Sequence, residues 1–357
     1  MQHLESEGWP ALRDHQINDF SGGLNRHFFW DQNARALAFN YINHKFTQPT
    51  DRPGIIKRPD VPFNIHRLVF AAGVFTNSAM CYSFSPAGGE DGLLGIWDEF
   101  RMGQADRLGW LGKPLGPAVR IAAKQPDMLA GAGKDIGPAL VKKLSGPDVN
   151  FSAEGGVLKV TAKDSKLSQI KFRLQDVPCK GPDLFVYMTA NAAPREHYPK
   201  EMARLVWVGI APEQGGLMQA EPAQTGMQLR GKNVTKAVRF MTWCNEKDFS
   251  SGFYFSQILS ERIDLEFTIE GPESLRISRL SIHAHPDAIY RQFERGLVLA
   301  NPSPRPYIFE PAKLFPGDKF RRIRATARQD TVTNNGKKVS DKITLGPRDA
   351  LFLIKED

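Results

Sequence analysis

The chain has 357 residues, 41% hydrophobic and 24% charged, a composition typical of a globular protein with two or three domains. A net charge of +8 and an isoelectric point near 9.3 favour an anionic partner, but the basic residues are dispersed and match no nucleic-acid-binding motif. No apolar run approaches about 18 residues, so we expect no transmembrane helix. Three widely spaced cysteines, Cys81, Cys179 and Cys244, argue against a disulfide framework and a Cys-x-x-Cys metal site.

The first third of the chain shows the order of helix, strand and loop that is typical of an α/β unit. Apolar residues recur at helical spacing over residues 31–46, which predicts a helix there. A second helix is predicted from Asn64, a good N-cap residue that follows Pro62. A short buried strand is predicted at residues 79–85, and a glycine-rich loop follows it. In α/β folds, functional groups cluster in such loops at the carboxyl ends of strands.

In the middle of the chain, the apolar residues change from helical spacing to a period of two. Residues 117–144 are rich in alanine, glycine and lysine, and residues 145–148 have the composition of a linker. Many short alternating segments then predict a β-sandwich, with a jelly roll as the expected type. Its predicted strands are residues 156–161, 170–174, 184–188, 205–210, 239–243, 263–269 and 277–283.

The last segment predicts a small second β-domain. Apolar strand patterns lie at residues 296–300, 320–325, 343–345 and 350–354, and Asn334–Gly336 is a hairpin turn signal. The densest basic stretch of the chain, residues 319–328, alternates with apolar residues. We interpret it as a strand with one solvated face, in preference to an anion site.

Four motifs of this segment resemble the C-terminal β-domain of bacterial glycoside hydrolases. They are FERGLVLANPS (293–303), LFPG (314–317), VTNNG (332–336) and LGPRDALFL (345–353). The first third is similar to the end of the (β/α)₈ barrel of such proteins, at residues 34–46, 96–100 and 109–116. The middle segment is similar to carbohydrate-binding jelly rolls.

The resemblance implies an α+β multidomain protein. Residues 1–145 would be a partial (β/α) barrel-like segment with a linker, residues 149–286 a jelly-roll β-sandwich, and residues 287–357 a small all-β domain. A whole barrel needs roughly 250 residues, so most of its early strands would be absent. We therefore expect a glycoside-hydrolase-like protein that acts on or binds polysaccharide or oligosaccharide and is incomplete or inactive as this chain.

Glycoside hydrolysis uses two carboxyl groups that flank the scissile bond, and an apolar pocket keeps one of them protonated. Trp97 and Trp110 are the predicted substrate-binding rings of this region, although Trp110 also suits a packing anchor. A structural alternative is that the carboxylates after Trp97 pair with Arg101 or Arg107. The candidate catalytic carboxylates after the strand at 79–85 are Glu90, Asp91, Asp98 and Glu99.

A second polar and aromatic cluster combines Asp19 and Asp31 with Phe28, Phe29 and Trp30, where Asp31 is also a candidate helix N-cap. In the predicted sandwich, Tyr254 follows a Ser-Ser-Gly loop and is the expected exposed, substrate-binding ring. Phe253 and Phe255 are further possible sugar-binding rings. Trp207 and Trp243 are also possible sugar-binding rings, but they lie inside strand patterns and favour the core.

No cofactor or metal is expected. His283, His285 and Asp287 lack a further metal ligand at suitable spacing. Residues 131–135 lack the spacing of a phosphate-binding loop. The chain has no Gly-x-Ser-x-Gly nucleophile elbow, the motif typical of esterases. Two alternatives to a hydrolase stay open: a non-catalytic carbohydrate-binding module, and a structural or assembly protein built on a β-sandwich. The sequence leaves the oligomeric state open. Residues 1–19 contain no signal-peptide core, but a parent protein could be secreted or periplasmic, so the localisation is open as well.

Overall fold

The structure is a computed structural model. It describes residues 2–7, 18–33, 38–45, 63–83, 97–129, 136, 138–164, 167, 169–194, 204–210, 239–256, 258, 260–270, 272–327 and 329–356. The predicted residues Glu90 and Asp91 lie outside this part of the chain. Within it, no helix combines the length and the hydropathy needed to cross a membrane.

Most described elements are strands. The helices are α1 (Asn18–Asn33), α2 (Phe63–Phe75), α3 (Asp98–Arg101), α4 (Pro138–Val141) and α5 (Pro311–Leu314). The strands are β1 (Gln2–Glu7), β2 (Ala38–Lys45), β3 (Ala79–Ser83), β4 (Val119–Arg120), β5 (Leu144–Ser145), β6 (Val149–Glu154), β7 (Val157–Ala162), β8 (Gln169–Pro178), β9 (Leu184–Pro194), β10 (Arg204–Ile210), β11 (Arg239–Cys244), β12 (Phe249–Phe255), β13 (Arg262–Glu270), β14 (Pro272–His283), β15 (Ile289–Phe293), β16 (Gly296–Asn301), β17 (Tyr307–Phe309), β18 (Lys319–Arg322), β19 (Ile343–Leu345) and β20 (Asp349–Glu356).

The chain forms two compact units. We call Met1–Leu12, Ala34–Ile121 and Ala288–Asp357 the mixed unit, and Arg13–Asn33 and Ala122–Asp287 the sandwich unit. The beginning and the end of the chain thus belong to the same unit. The division into residues 1–145, 149–286 and 287–357 stays a prediction.

The sandwich unit consists of two five-stranded sheets with the orders β11-β10-β13-β8-β5 and β12-β9-β14-β7-β6. All pairs within them are antiparallel. On β8 the residues Ile170, Phe172 and Leu174 are buried, while Lys171 between them is exposed, as a period of two requires. Each of the seven predicted strands overlaps an observed strand. The predicted β-sandwich is confirmed, and its jelly-roll type stays a prediction.

The mixed unit contains a parallel sheet of order β1-β2-β3 and an antiparallel sheet of order β18-β20-β16-β15-β4. Helix α2, predicted from Asn64, is confirmed, and Phe70 on it stacks on Phe352 of β20 with ring centroids 5.0 Å apart. The guanidinium of Arg291 donates to the carbonyl oxygens of Val74 and Phe75 at 2.7 and 3.0 Å, which satisfies the end of this helix. The described parallel strands do not form a closed barrel, so the barrel-like segment stays a prediction.

The helix predicted over residues 31–46 is wrong. Helix α1 ends at Asn33, and residues 38–45 form strand β2, which pairs in parallel with both β1 and β3. The apolar spacing fits a helix, but two neighbouring strands satisfy the backbone of β2 from both sides. Asp31 consequently lies in the last turn of α1, so its prediction as a helix N-cap is also wrong.

Candidate functional site

Two partly exposed tryptophans lie side by side on the sandwich unit, Trp30 on α1 and Trp243 on β11. Their ring centroids are 6.4 Å apart with an interplanar angle of 43°. We call these two rings, with Arg26, the tryptophan surface. The sequence favoured the core for Trp243, and this prediction is wrong. Thr242 and Cys244 point inward, so alternation along β11 turns Trp243 outward.

The position of Trp30 follows from the buried residue beside it. Phe29 is 5% exposed and contacts Phe249 edge-on at 5.1 Å and Trp243 at 6.4 Å between ring centroids. Successive helix residues are about 100° apart around the axis, so Trp30 lies at the margin of the buried helix face. Its ring therefore packs beside Trp243 while part of it stays in contact with solvent.

Polar groups frame the tryptophan surface. The guanidinium carbon of Arg26 lies 5.6 Å from the ring centroid of Trp30, within cation–π range. The side-chain amide of Asn245 donates to Asn33 Oδ1 at 2.8 Å, and that of Gln32 donates to the Asp248 carbonyl at 3.0 Å. Flat aromatic faces beside amide and guanidinium groups suit a ligand with both apolar C–H faces and hydroxyl groups, as sugars have.

Helix α1 is held firmly against the edge of the sandwich. The Asn25 amide donates to the Gly252 carbonyl at 2.9 Å and accepts from the Gly252 amide at 3.0 Å, so it replaces a neighbouring strand at the edge of β12. At the other end, Ser21 Oγ donates to Asp287 at 2.8 Å. The tryptophan surface is thus built on regular elements and preorganised.

Tyr254 is 1% exposed, so the prediction of an exposed ring is wrong. The expected loop at residues 250–252 is part of strand β12, and the ring packs with Ala122 and Phe185 on the outer side of its sheet. Its hydroxyl donates to Asp183 Oδ1 at 2.5 Å. Burial under residues 122–123 is a tertiary effect that the local sequence does not show. A substrate-binding role for Tyr254 stays a prediction.

The other aromatic candidates of the sandwich differ in their positions. Phe253 and Phe255, which the sequence offered as possible sugar-binding rings, lie in the core of the sandwich unit. The side chain of Trp207 lies outside the described residues. Phe28 is partly exposed on α1, and the backbone of Asp19 is helical. The sequence therefore pointed to both tryptophans of the tryptophan surface, Trp30 and Trp243, but in separate clusters, because they are more than 200 residues apart.

The predicted carboxylates Asp98 and Glu99 are buried in the mixed unit, at 0% and 3% exposure. Glu99 accepts from Asn334 Nδ2 at 2.8 Å and lies 3.6 Å from His66 Nε2. Asp98 accepts from the backbone amide of Thr326 at 3.0 Å. Burial raises the pKa of Asp98. Burial would also raise the pKa of Glu99, but His66, Arg67 and Asn334 more than offset it and lower that pKa.

Trp97 and Trp110, the predicted substrate-binding rings, are 7% and 2% exposed. Trp97 stacks on His66 with centroids 3.6 Å apart, and Trp110 donates its indole N–H to the Glu99 carbonyl at 2.8 Å. Arg101, a suggested partner of the carboxylates, pairs with Asp106 at 3.0 Å. The surroundings of these residues are those of a packed core, and their catalytic and substrate-binding roles stay predictions.

Sequence reasoning missed the strongest polar contact of this region. Arg67 on α2 donates twice to the Asp349 carboxylate, at 2.8 and 2.9 Å, and once to Asp330 at 2.6 Å. Asp349 belongs to the Pro-Arg-Asp-Ala motif at residues 347–350, so the motif carried the signal. Arg67, the partner of Asp349 on α2, lies some 280 residues away in sequence and carries no local signal of this pairing.

Within the described part of the chain, no group of three or more His, Cys, Asp or Glu residues could hold a metal ion. His283 is buried, and its ring nitrogens lie 3.2 Å from the Pro126 carbonyl and 2.9 Å from Ser281 Oγ. Its imidazole therefore links β14 to the segment at 126.

No protein-family model matches the sequence, and no curated protein matches it. Solved structures resemble the chain in part. The CBM22-1 xylan-binding domain of Paenibacillus barcinonensis Xyn10C is 8% identical with a TM-score of 0.27, over 44% of this chain and 90% of that one. TmCBM61, solved with β-1,4-galactotriose, is 13% identical with a TM-score of 0.28, over 45% and 100%. The agarase AgWH50C is 12% identical with a TM-score of 0.29, over 47% and 25%. Similarities at this level support no statement about function.

Proposed function

We propose that the sandwich unit is a non-catalytic module that binds polysaccharide at the tryptophan surface. The observation that carries this proposal is the pair of partly exposed rings of Trp30 and Trp243, 6.4 Å apart. Tryptophan is mostly buried in globular proteins, and adjacent exposed rings with a polar rim are typical of binding surfaces. Sugars stack their C–H faces on such rings while their hydroxyl groups bond to neighbouring amides.

The second support is the rigidity of the surface. Phe29 packs against the indole of Trp243, and Asn25 and Asn33 hold α1 through amide hydrogen bonds. A preformed surface loses little conformational entropy when a ligand binds.

Replacement of Trp243 or Trp30 by alanine should weaken polysaccharide binding by about tenfold or more, since aromatic anchors dominate binding energy. Affinity electrophoresis against neutral polysaccharides, including xylan, galactan and agarose, would measure this effect. Tyr187→Ala is the matched control, because Tyr187 is also a partly exposed aromatic residue of the sandwich unit. It should bind like the unaltered protein.

Binding that survives both tryptophan substitutions would contradict the proposal. Loss of binding in Tyr187→Ala alone would instead place the ligand on the outer face of the β12-β9-β14-β7-β6 sheet. Circular dichroism should show that all variants are folded, because Trp30 and Trp243 are only partly buried.

Hydrolysis of glycosidic bonds is a second candidate. The feature that favours it is a pair of adjacent buried carboxylates: burial raises the pKa of Asp98, while His66, Arg67 and Asn334 lower the pKa of Glu99, as separate acid and base roles require. Under the binding proposal, the protein should release no reducing ends from any polysaccharide that it binds. Release of reducing ends that Asp98→Asn abolishes would support hydrolysis.

A further inference from the structure

The mixed unit carries a basic two-stranded ribbon, formed by residues 319–325 and 334–339. The strands are antiparallel, with backbone hydrogen bonds from Arg322 N to Lys337 O at 2.8 Å and from Gly336 N to Ile323 O at 2.9 Å. All the cations named next are partly or fully exposed. The ribbon presents Lys319, Arg321, Arg324, Lys337 and Lys338.

The ribbon places like charges opposite each other. Arg321 pairs with Lys338 across the ribbon, and Lys319 lies two residues from Arg321 on the same face. Directly opposed like charges destabilise a sheet. The ribbon needs neither of these two charges for core packing or for the hydrogen bonds between its strands. Among the described residues, the carboxylate that pairs with the ribbon is Glu356, 3.6 Å from Lys338 Nζ. One acidic residue therefore lies within ion-pair distance of these five basic ones, and the sixth basic residue of the ribbon, Arg322, donates to the Thr333 carbonyl at 2.9 Å.

We propose that this ribbon binds an acidic polysaccharide, a linear polymer that carries carboxylate or sulfate groups. The unfavourable pair of Arg321 and Lys338 becomes favourable when an anion lies between the two cations. Residues two apart on a strand are about 6.6–6.8 Å apart, so Lys319 and Arg321, with Lys338 opposite, offer a row of charges on one face to a repeating anionic chain. The proposal concerns the mixed unit and does not depend on sugar binding at the tryptophan surface.

Two features favour an acidic polysaccharide over a nucleic acid. The single aromatic residue of the ribbon, Phe320, is 4% exposed, so no ring is available for base stacking. Strand β18 is hydrogen-bonded to β20 within a five-stranded sheet. A ribbon that is one margin of a wide sheet does not fit a DNA major groove about 12 Å wide.

The test measures binding to heparin and to polygalacturonate as a function of salt. Neutralisation of the opposed pair, in Arg321→Gln/Lys338→Gln, should weaken binding by about tenfold, and charge reversal to glutamate by more. The matched controls are Lys142→Gln/Lys159→Gln for the neutralised variant and Lys142→Glu/Lys159→Glu for the charge-reversed one, because these exposed lysines lie on the sandwich unit and change the net charge equally in each comparison. Each control should change the affinity by less than about twofold.

An equal loss in the matched control would show that only the overall charge matters, and it would overturn the proposal. Duplex or single-stranded DNA bound more tightly than either polysaccharide at the same salt concentration would also overturn it. Trp243→Ala should leave heparin binding unchanged, which separates the failure of this proposal from the failure of the proposed function. The glutamine variant keeps the test valid if the charge-reversed variant does not fold.

Discussion

Replacing Arg67 with methionine should lower the free energy of unfolding of the mixed unit by about 3–5 kcal/mol, the usual cost of removing one partner of a buried ion pair. Arg67 is 2% exposed and Asp349 is 8% exposed. Without the guanidinium, the Asp349 carboxylate keeps its desolvation penalty but loses both charge-assisted hydrogen bonds. Hydrogen exchange of the β16 and β20 amides under urea would report this unit separately.

The matched control removes both charges. Arg67→Met/Asp349→Leu replaces the buried pair by apolar groups of similar size, and such replacements are often neutral. We therefore expect the double variant to recover most of the lost stability. A single variant that loses less than about 1 kcal/mol, or a double variant as unstable as the single one, would show that the pair is solvated or dispensable.

Phe172→Ala should destabilise the sandwich unit by about 3–5 kcal/mol, because it removes a large buried ring and leaves a cavity. Phe172 is 1% exposed and stacks on Phe267 with ring centroids 4.9 Å apart and planes 3° apart. Phe151 contacts its edge at 5.8 Å. These contacts link β8 to its neighbour β13 and, across the interior, to β6 of the other sheet, so few side chains can move to fill the space.

Phe172→Leu is the graded control for this substitution. Leucine keeps much of the apolar volume, so the loss should be roughly 1–2 kcal/mol. Urea unfolding followed by tryptophan fluorescence and by hydrogen exchange in β8 and β13 would compare the two variants. Equal losses for alanine and leucine would mean that the stacking geometry, more than the buried volume, determines stability.

The candidate site could be predicted only in part. The local sequence places Trp30 in a polar and aromatic cluster and makes Trp243 a possible sugar-binding ring, although it favours the core for Trp243. Their adjacency was not predictable, since it depends on α1 packing along the edge of the sandwich through Asn25 and Phe29. The network of Arg67, Glu99 and Asp349 shows the same limit, because charges distant in sequence carry no pairing signal.

Local sequence patterns suffice to predict seven strands of the middle segment and the helix α2. In both, the apolar period matches the repeat of the element, and the local backbone preference agrees with it. Only the tertiary structure decided that residues 38–45 form a strand, that Tyr254 is buried and that Trp243 is partly exposed. Strand pairing on both sides and the covering of a sheet face involve residues distant in the chain, and these contacts outweigh local periodicity.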